Sequence, residues 1–253
     1  MGMIPIGDDN SDRTINPFVN YLLIAANIAV FVLLQGMGAS NRFTYAFSTV
    51  PQEIVSGRDV VTSAHTVEDP LSGQSFEQPG LRPTPVTVYL TLLVSMFMHG
   101  GIAHIAGNML YLWIFGDNIE NALGHLRYLA FYLVCGILAS LAHVFTTAAT
   151  HGDMLVPSLG ASGAISGVLG GYALLFPGRR VRMMMGRGTT EMPAWVAIGV
   201  WFVFQVVAGM GLLGAGSQAG GVAYAAHVGG FVAGLLLVKL FPAGRLVRSP
   251  RRA

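Results

Sequence analysis

The chain has 253 residues, of which 53% are hydrophobic and only 10% charged, with a formal net charge of +2. A water-soluble domain carries about 25% charged residues, so these side chains cannot cover a surface that faces water, and lipid is the expected solvent. The absence of a basic tract with interleaved aromatics excludes a nucleic-acid partner, and the single cysteine, Cys135, excludes an internal disulfide or a cysteine-based metal site.

The chain opens on a polar, acidic stretch, MGMIPIGDDNSDRTINPF. It lacks the basic region and small-residue cleavage site of a secretory signal, so the first apolar run is expected to be retained. A spanning helix needs about 20 mostly apolar residues. Six stretches qualify: 18–36, 100–116, 126–147, 158–176, 193–214 and 221–241. Ahead of the second, apolar sequence runs back through VTVYLTLLVSMFMHGG, so 86–98 reads as an interfacial or re-entrant lead-in. Pro157, Pro177, Pro193 and Pro242 stand at span boundaries, where proline starts or stops helices. The 33 glycines suit close packing of membrane helices. The expected architecture is all-α, a polytopic bundle of six transmembrane helices over 18–241. A tail over 1–17, a long loop at about 37–85 and a basic tail over 242–253 complete it.

Six spans put both termini on one side. With the termini inside, Arg13, Arg127, Lys239, the arginines of FPGRRVRMMMGRG and those of the tail all fall on that side, against Arg42, Arg58 and Arg82 outside. Lys and Arg concentrate on cytoplasmic loops, so both termini are expected to be cytoplasmic.

Ionisable groups inside a bilayer are costly and mark functional sites. His99 and His104 lie near the start of the second span and His227 lies in the sixth, while Asn108 follows His104 by four residues on one helical face. Ser162 lies in the fourth span, in LGASGAISGVLGGY. In this orientation the second, fourth and sixth spans all run from outside to inside. At 1.5 Å per residue, His104, Ser162 and His227 fall roughly 6–9 Å below the outer boundary, with Asn108 a turn deeper. Ser162, Ser166 and Gly170 form one small-residue stripe, and His227, Gly230 and Gly234 another. Packing of the two stripes would bring Ser162 and His227 face to face.

At these residues the sequence resembles the rhomboid intramembrane serine proteases. The matching pieces are HGGIAHIAGN (99–108), GASG around Ser162 and AHVGGFVAG (226–234), in the family's order and spacing, with similarity over about 86–241 that includes GDNIENALG (116–124). The soluble hydrolase elbow G-x-S-x-G does not fit, because its fifth position is Ala164. The resemblance implies a catalytic dyad, Ser162 as nucleophile and His227 as general base. His104 and Asn108 would bind the oxyanion together with the Ser162 backbone N–H, and His99 would belong to the same pocket. Two departures stand out. Ser166 occupies a position where family members often carry an aromatic that stacks on the base, and the Trp-Arg pair often found in the first outer loop is missing.

The chemistry is coherent in its own terms. A serine hydroxyl is a poor nucleophile until a base takes its proton. No Asp or Glu lies at the depth of the dyad, since Asp117 and Glu120 sit at the other end, so packing is expected to orient His227. Gln205 reads as a hydrogen bond between helices, Asn20 and Asn27 as packing contacts, and His65, His125, His143 and His151 as solvent or interface groups. A metal held by His99, His104 and His227 lacks a carboxylate ligand and an HExxH motif, so neither metal nor cofactor is expected. The glycine-rich segment LGAGSQAGG could flex as a lid. The function expected is an endopeptidase acting on transmembrane protein substrates in a lipid bilayer, most simply the plasma membrane. The alternative is an inactive rhomboid-like protein that binds membrane clients, whose dyad should then be incomplete. A transporter would carry polar residues through its whole depth. The sequence leaves the oligomeric state open.

Overall fold

Each of the six apolar runs contributes a helix to the computed structural model, which describes residues 3–38, 41–68, 75–186, 188–210 and 224–241. In chain order, strand β1 (Met3–Asp8) precedes α1 (Phe18–Ala29), which continues as a π-helical turn over Val30–Leu34. The long loop contains α2 (Arg42–Phe47), α3 (Pro51–Ser56) and an antiparallel hairpin of β2 (His65–Glu68) and β3 (Ser75–Gln78). Next come the short helix α4 (Thr91–Val94), then α5 (Ile102–Leu123), α6 (His125–Ala149) and α7 (Ser162–Leu175). A hairpin of β4 (Arg180–Met185) and β5 (Gly188–Pro193) leads into α8 (Ala194–Gly209), and α9 (Tyr224–Leu237) follows. The segment 213–221 expected to act as a lid, Arg187, Pro242 and the basic tail lie outside the described residues.

Among the described residues, α6 alone is long and apolar enough by itself to cross a membrane. The segment Val88–Phe97 and helix α5 pass the same test together, bent by 80° at the break between them. That bend accounts for the apolar lead-in seen in the sequence: 88–97 lies across the top of α5 instead of extending it. At its other end α5 runs on to Leu123, past the expected end of its span, because Asp117, Asn118 and Glu120 are buried against partners and not hydrated.

The expected all-α architecture is corrected to a mostly helical one that also contains small sheets. β1, β4 and β5 form a three-stranded antiparallel sheet in the order β1-β4-β5. In β4 the burial alternates, Val181 and Met183 inward, Arg180 and Arg182 outward. This period of two is the mark of a strand with one covered face, and it is readable in RVRMMM once helix is not assumed. The N-terminal residues pair with this hairpin across most of the chain's length.

Helix α7 is the centre of the bundle, buried from Gly163 through Tyr172. It packs backbone to backbone on α9. A Cβ on Gly230 would run into the carbonyl of Gly163, one on Gly234 into that of Gly167, and one on Gly170 into that of Phe231. The expected stripe on α9 is the one used, whereas α7 offers Gly163, Gly167 and Gly170 in place of Ser162 and Ser166. On its other side α7 meets α6 at Cys135 and Ala139.

The end of the bundle that holds the sheet is tied by charge. Glu120 accepts the backbone N–H groups of Val19 (3.0 Å) and Asn20 (2.7 Å). It thereby caps α1, whose own N-cap residue, Pro17, has no side chain able to do so. Glu120 also meets His125 Nδ1 at 2.5 Å, and Tyr128 donates to Asn20 Oδ1 at 2.7 Å. Arg13 pairs with Asp117 at 3.0 Å. Arg179 pairs with Asp12, donates to Asn118 Oδ1 and the Asp9 carbonyl, and lies over the Phe176 ring. Asp8 Oδ2 accepts from Tyr172 (2.5 Å) and Asn118 (2.7 Å). Burial pushes the Asp8 carboxyl up to about 7 despite these donors.

Candidate active site

Ser162 is the first residue of α7, so it sits at the mouth of the helix and not a turn inside it. The four residues before it cannot be helical because they are held elsewhere. Ser158 and Thr49 exchange two backbone hydrogen bonds, of 2.8 and 3.0 Å, and the Gly160 N–H donates to the Ser95 carbonyl at 2.9 Å. Gly160 has φ +128°, a conformation glycine adopts without the penalty a Cβ brings. His104 and His227 are likewise near helix starts, the third residue of α5 and the fourth of α9. All three groups lie nearer the starts of their helices than the apolar runs alone suggest.

Ser162 Oγ and His227 Nε2 are 2.7 Å apart. His227 Nδ1 is 2.7 Å from Gln205 Oε1 on α8. An amide oxygen only accepts, so Nδ1 carries the proton, and Nε2 is left free to accept the hydroxyl proton of Ser162. The ring is flanked by Trp201 of α8, with centroids 6.2 Å apart, and by Tyr224 of α9 at 6.4 Å. Ser166, where an aromatic was missed, turns away: its Oγ donates to the Ser162 carbonyl at 2.6 Å. The orientation expected from packing alone therefore also involves a side-chain hydrogen bond, and the aromatic neighbours come from different helices.

His104 faces the same space. A methyl group at Gly160 would sit 3.0 Å from His104 Cε1 and Nε2 and 3.7 Å from Ser162 Oγ. His104 Nδ1 accepts the Gly100 N–H at 3.2 Å, which puts the ring proton on Nε2, the atom on the Gly160 side. Asn108 lies one turn further along α5, and its buried Nδ2 has no hydrogen-bond partner. The N-terminus of α7 has no side-chain cap, so the first N–H groups, Ser162 among them, are open donors at the positive end of the helix. His104 Nε2 and the first N–H groups of α7 are thus uncharged donors beside the Ser162 hydroxyl, and Asn108 Nδ2 is a further donor one turn along α5 from His104 that bonds no protein acceptor.

His99 is fully buried and both its ring nitrogens lack partners. Its ring meets His104 edge-on at 5.2 Å, and Gln35 brackets its backbone, accepting from the N–H at 2.8 Å and donating to the carbonyl at 3.0 Å. Its contact with the candidate site is through the His104 ring. A cavity of about 30 Å³ beside Ser162 is lined by Ser95, Ser140, His143, Ser158, Gly160 and Ser162, among others. His143 was read from sequence as an end-of-span group, and nothing in its flanking residues marks it out. Gln205 was legible as a lone amide in an apolar helix, four residues after Trp201. A larger apolar cleft of about 430 Å³ between α5, α7 and α8 reaches Gln205 and has Pro5 and Met183 of the sheet in its lining.

A bundle of apolar helices that places a serine hydroxyl on a histidine is the setting in which the comparisons with known proteins fall. The model of the Rhomboid domain matches residues 87–243, and the chain belongs to the rhomboid family, whose members are integral membrane proteins. It is 32% identical to "Rhomboid protein 1, mitochondrial" of Saccharomyces cerevisiae over 151 residues, 60% of this chain and 41% of that one. It is 29% identical to "Rhomboid protease GluP" of Bacillus subtilis over 219 residues, 86% of this chain and 34% of that one. To the human "Presenilin-associated rhomboid-like protein, mitochondrial" it is 37% identical over 93 residues, 37% and 24% of the two chains. The chain therefore spans less than half the length of each of these relatives.

Proposed function

We propose that the protein is an intramembrane serine endopeptidase that hydrolyses peptide bonds in or near the transmembrane segments of other membrane proteins. The observation that carries the reading is the 2.7 Å contact between Ser162 Oγ and His227 Nε2, made with the imidazole in the tautomer that can accept a proton. The relatedness to a protein named a protease supports it.

Ser162 Oγ attacks the carbonyl carbon as its proton passes to His227 Nε2. The carbonyl oxygen becomes an oxyanion, taken up by the Ser162 N–H, His104 Nε2–H and Asn108 Nδ2–H. His227 then gives its proton to the leaving nitrogen, the C–N bond breaks, and an ester to Ser162 remains. Water attacks the ester carbon and passes a proton to His227, and the C–O bond to Ser162 breaks with return of that proton to Oγ. The roughly 30 Å³ cavity beside Ser162 exceeds what a water molecule needs and is lined by hydroxyls and an imidazole. An inactive client-binding protein would have no need to keep the serine, the base and its tautomer together.

The same reading takes α1, α5, α6, α7, α8 and α9 as six membrane spans with both termini cytoplasmic, most simply in the plasma membrane. Support comes from the shared location of Arg13 and Arg179 at the end opposite Ser162. Residues 18–241 form the membrane unit, with 1–17 and 242–253 on the inner side. Substrate helices must unwind before a carbonyl is exposed, so Gly, Ala, Ser or Pro near the outer end should favour cleavage. The test is reconstitution in liposomes with a single-span reporter carrying such residues. The wild type should yield one discrete fragment, and Ser162→Ala and His227→Ala none. Equal cutting by Ser162→Ala would overturn the assignment.

A further inference from the structure

We infer that Gln205 is a positioning residue of the active site, a third, uncharged member of the Ser162–His227 arrangement supplied by helix α8. The inference rests on the reading of Ser162 and His227 as the dyad and adds a role to a residue outside the three matching motifs.

The geometry is specific. Gln205 is buried, 6% exposed, and its Oε1 lies 2.7 Å from His227 Nδ1, in line with the 2.7 Å contact from Nε2 to Ser162 Oγ. Both ring nitrogens are thus engaged on opposite edges, which fixes rotation about the ring as well as the tautomer. If Nδ1 lost its acceptor, the proton could move to Nε2, which would then donate to the serine and could not receive from it. No other side chain among the described residues hydrogen-bonds Nδ1. Trp201, one turn earlier on α8, lies against the same ring, so one helix face supplies both the acceptor and an aromatic wall. Ser166 cannot do either, since its hydroxyl is turned to the Ser162 carbonyl.

Gln205 acts most strongly when His227 is charged. On taking the serine proton the ring becomes an imidazolium, and the Nδ1–H···Oε1 bond becomes charge-assisted and stronger. The stabilisation therefore grows from ground state to transition state, which makes it a kcat effect. A neutral amide avoids the cost of placing a carboxylate at this depth. Because α8 also walls the 430 Å³ cleft, the ring's orientation depends on where that helix stands.

The experiment compares wild type with Gln205→Met, which keeps length and volume but removes the acceptor, and with Gln205→Glu, which restores one. Two readouts are taken on the reconstituted full chain. The first is the ¹⁵N signature of the His227 ring. Wild type should show Nδ1–H, Gln205→Met a mixture or the Nε2–H form, and Gln205→Glu Nδ1–H again. The second is kinetic. Gln205→Met should lower kcat about tenfold to a hundredfold, as expected for a hydrogen bond to a charged group, with KM within about twofold and an equal fall in the rate of fluorophosphonate labelling at Ser162. Gln205→Glu should recover most of that rate.

An unchanged tautomer in Gln205→Met overturns the inference whatever the activity does. A change confined to KM, or a fall in kcat that Gln205→Glu does not rescue, overturns it too and points to helix packing. If the wild type neither cuts nor labels, the protease reading fails, and the tautomer comparison still decides whether Gln205 positions the ring.

Discussion

The two ends of the bundle handle polar groups in opposite ways. At the sheet end, charges are plentiful and paired, with only Asp12 Oδ1 among these carboxylate oxygens buried without a partner: Arg13 on Asp117, Arg179 on Asp12 and Asn118, Glu120 on the first N–H groups of α1, Asp8 on Tyr172 and Asn118. At the Ser162 end there is no carboxylate in the hydrogen-bonded group, and donors are left open, notably Asn108 Nδ2 and the uncapped start of α7. A paired network holds the chain in place. An unsatisfied one costs stability and is retained where a ligand or transition state will supply the missing acceptor.

If that contrast is correct, substitutions at the two ends should separate activity from stability. Asn108→Leu removes a donor that bonds nothing in the resting protein. It should lower kcat about a hundredfold, as loss of one oxyanion donor does, with a thermal midpoint close to that of wild type. Gly160→Ala should affect both properties. Its methyl would meet His104 and approach Ser162 Oγ at a φ of +128°, so an activity loss of about tenfold and a stability loss of roughly 1–3 kcal/mol are expected, measured by reporter cleavage and chemical denaturation.

At the other end Asn118→Ala should do the reverse. It strips one donor from Asp8 and an acceptor from Arg179, so roughly 1–3 kcal/mol of stability should be lost with kcat within about twofold of wild type. The last effect concerns Asp8 and is one on stability alone. Its folded carboxyl titrates near 7, against an ordinary value of 3.8. The folded chain therefore binds more protons there than the unfolded chain between those two values. Stability should fall as pH rises from about 4 to about 7 and level off above. Asp8→Asn, which keeps an acceptor for Tyr172 and Asn118, should flatten that dependence when melting is followed across pH.

Much of this contrast was legible in the sequence. Each apolar run contributed a helix, and the two motifs carrying Ser162 and His227 do meet, at 2.7 Å. The absence of a nearby carboxylate was also visible. Two things were not. The pairing of β1 with β4 joins residues some 180 apart, and neither partner carries a local signal that names the other. The start of α7 at Ser162 was missed because the four residues before it are apolar enough for a span, and only tertiary bonds to Thr49 and Ser95 draw them out of helix. Gln205 was seen as a polar residue, but its partner depends on how α8 stands against α9, which no periodicity records.

The central claim is that Ser162 is an activated nucleophile because His227 accepts its proton. Fluorophosphonate labelling of the reconstituted protein, with the modified peptide located by mass spectrometry, tests this without knowledge of a substrate. The account predicts one adduct, on Ser162, formed at least about a thousandfold more slowly in His227→Ala. An adduct elsewhere, or labelling of Ser162 at the same rate without His227, would contradict it.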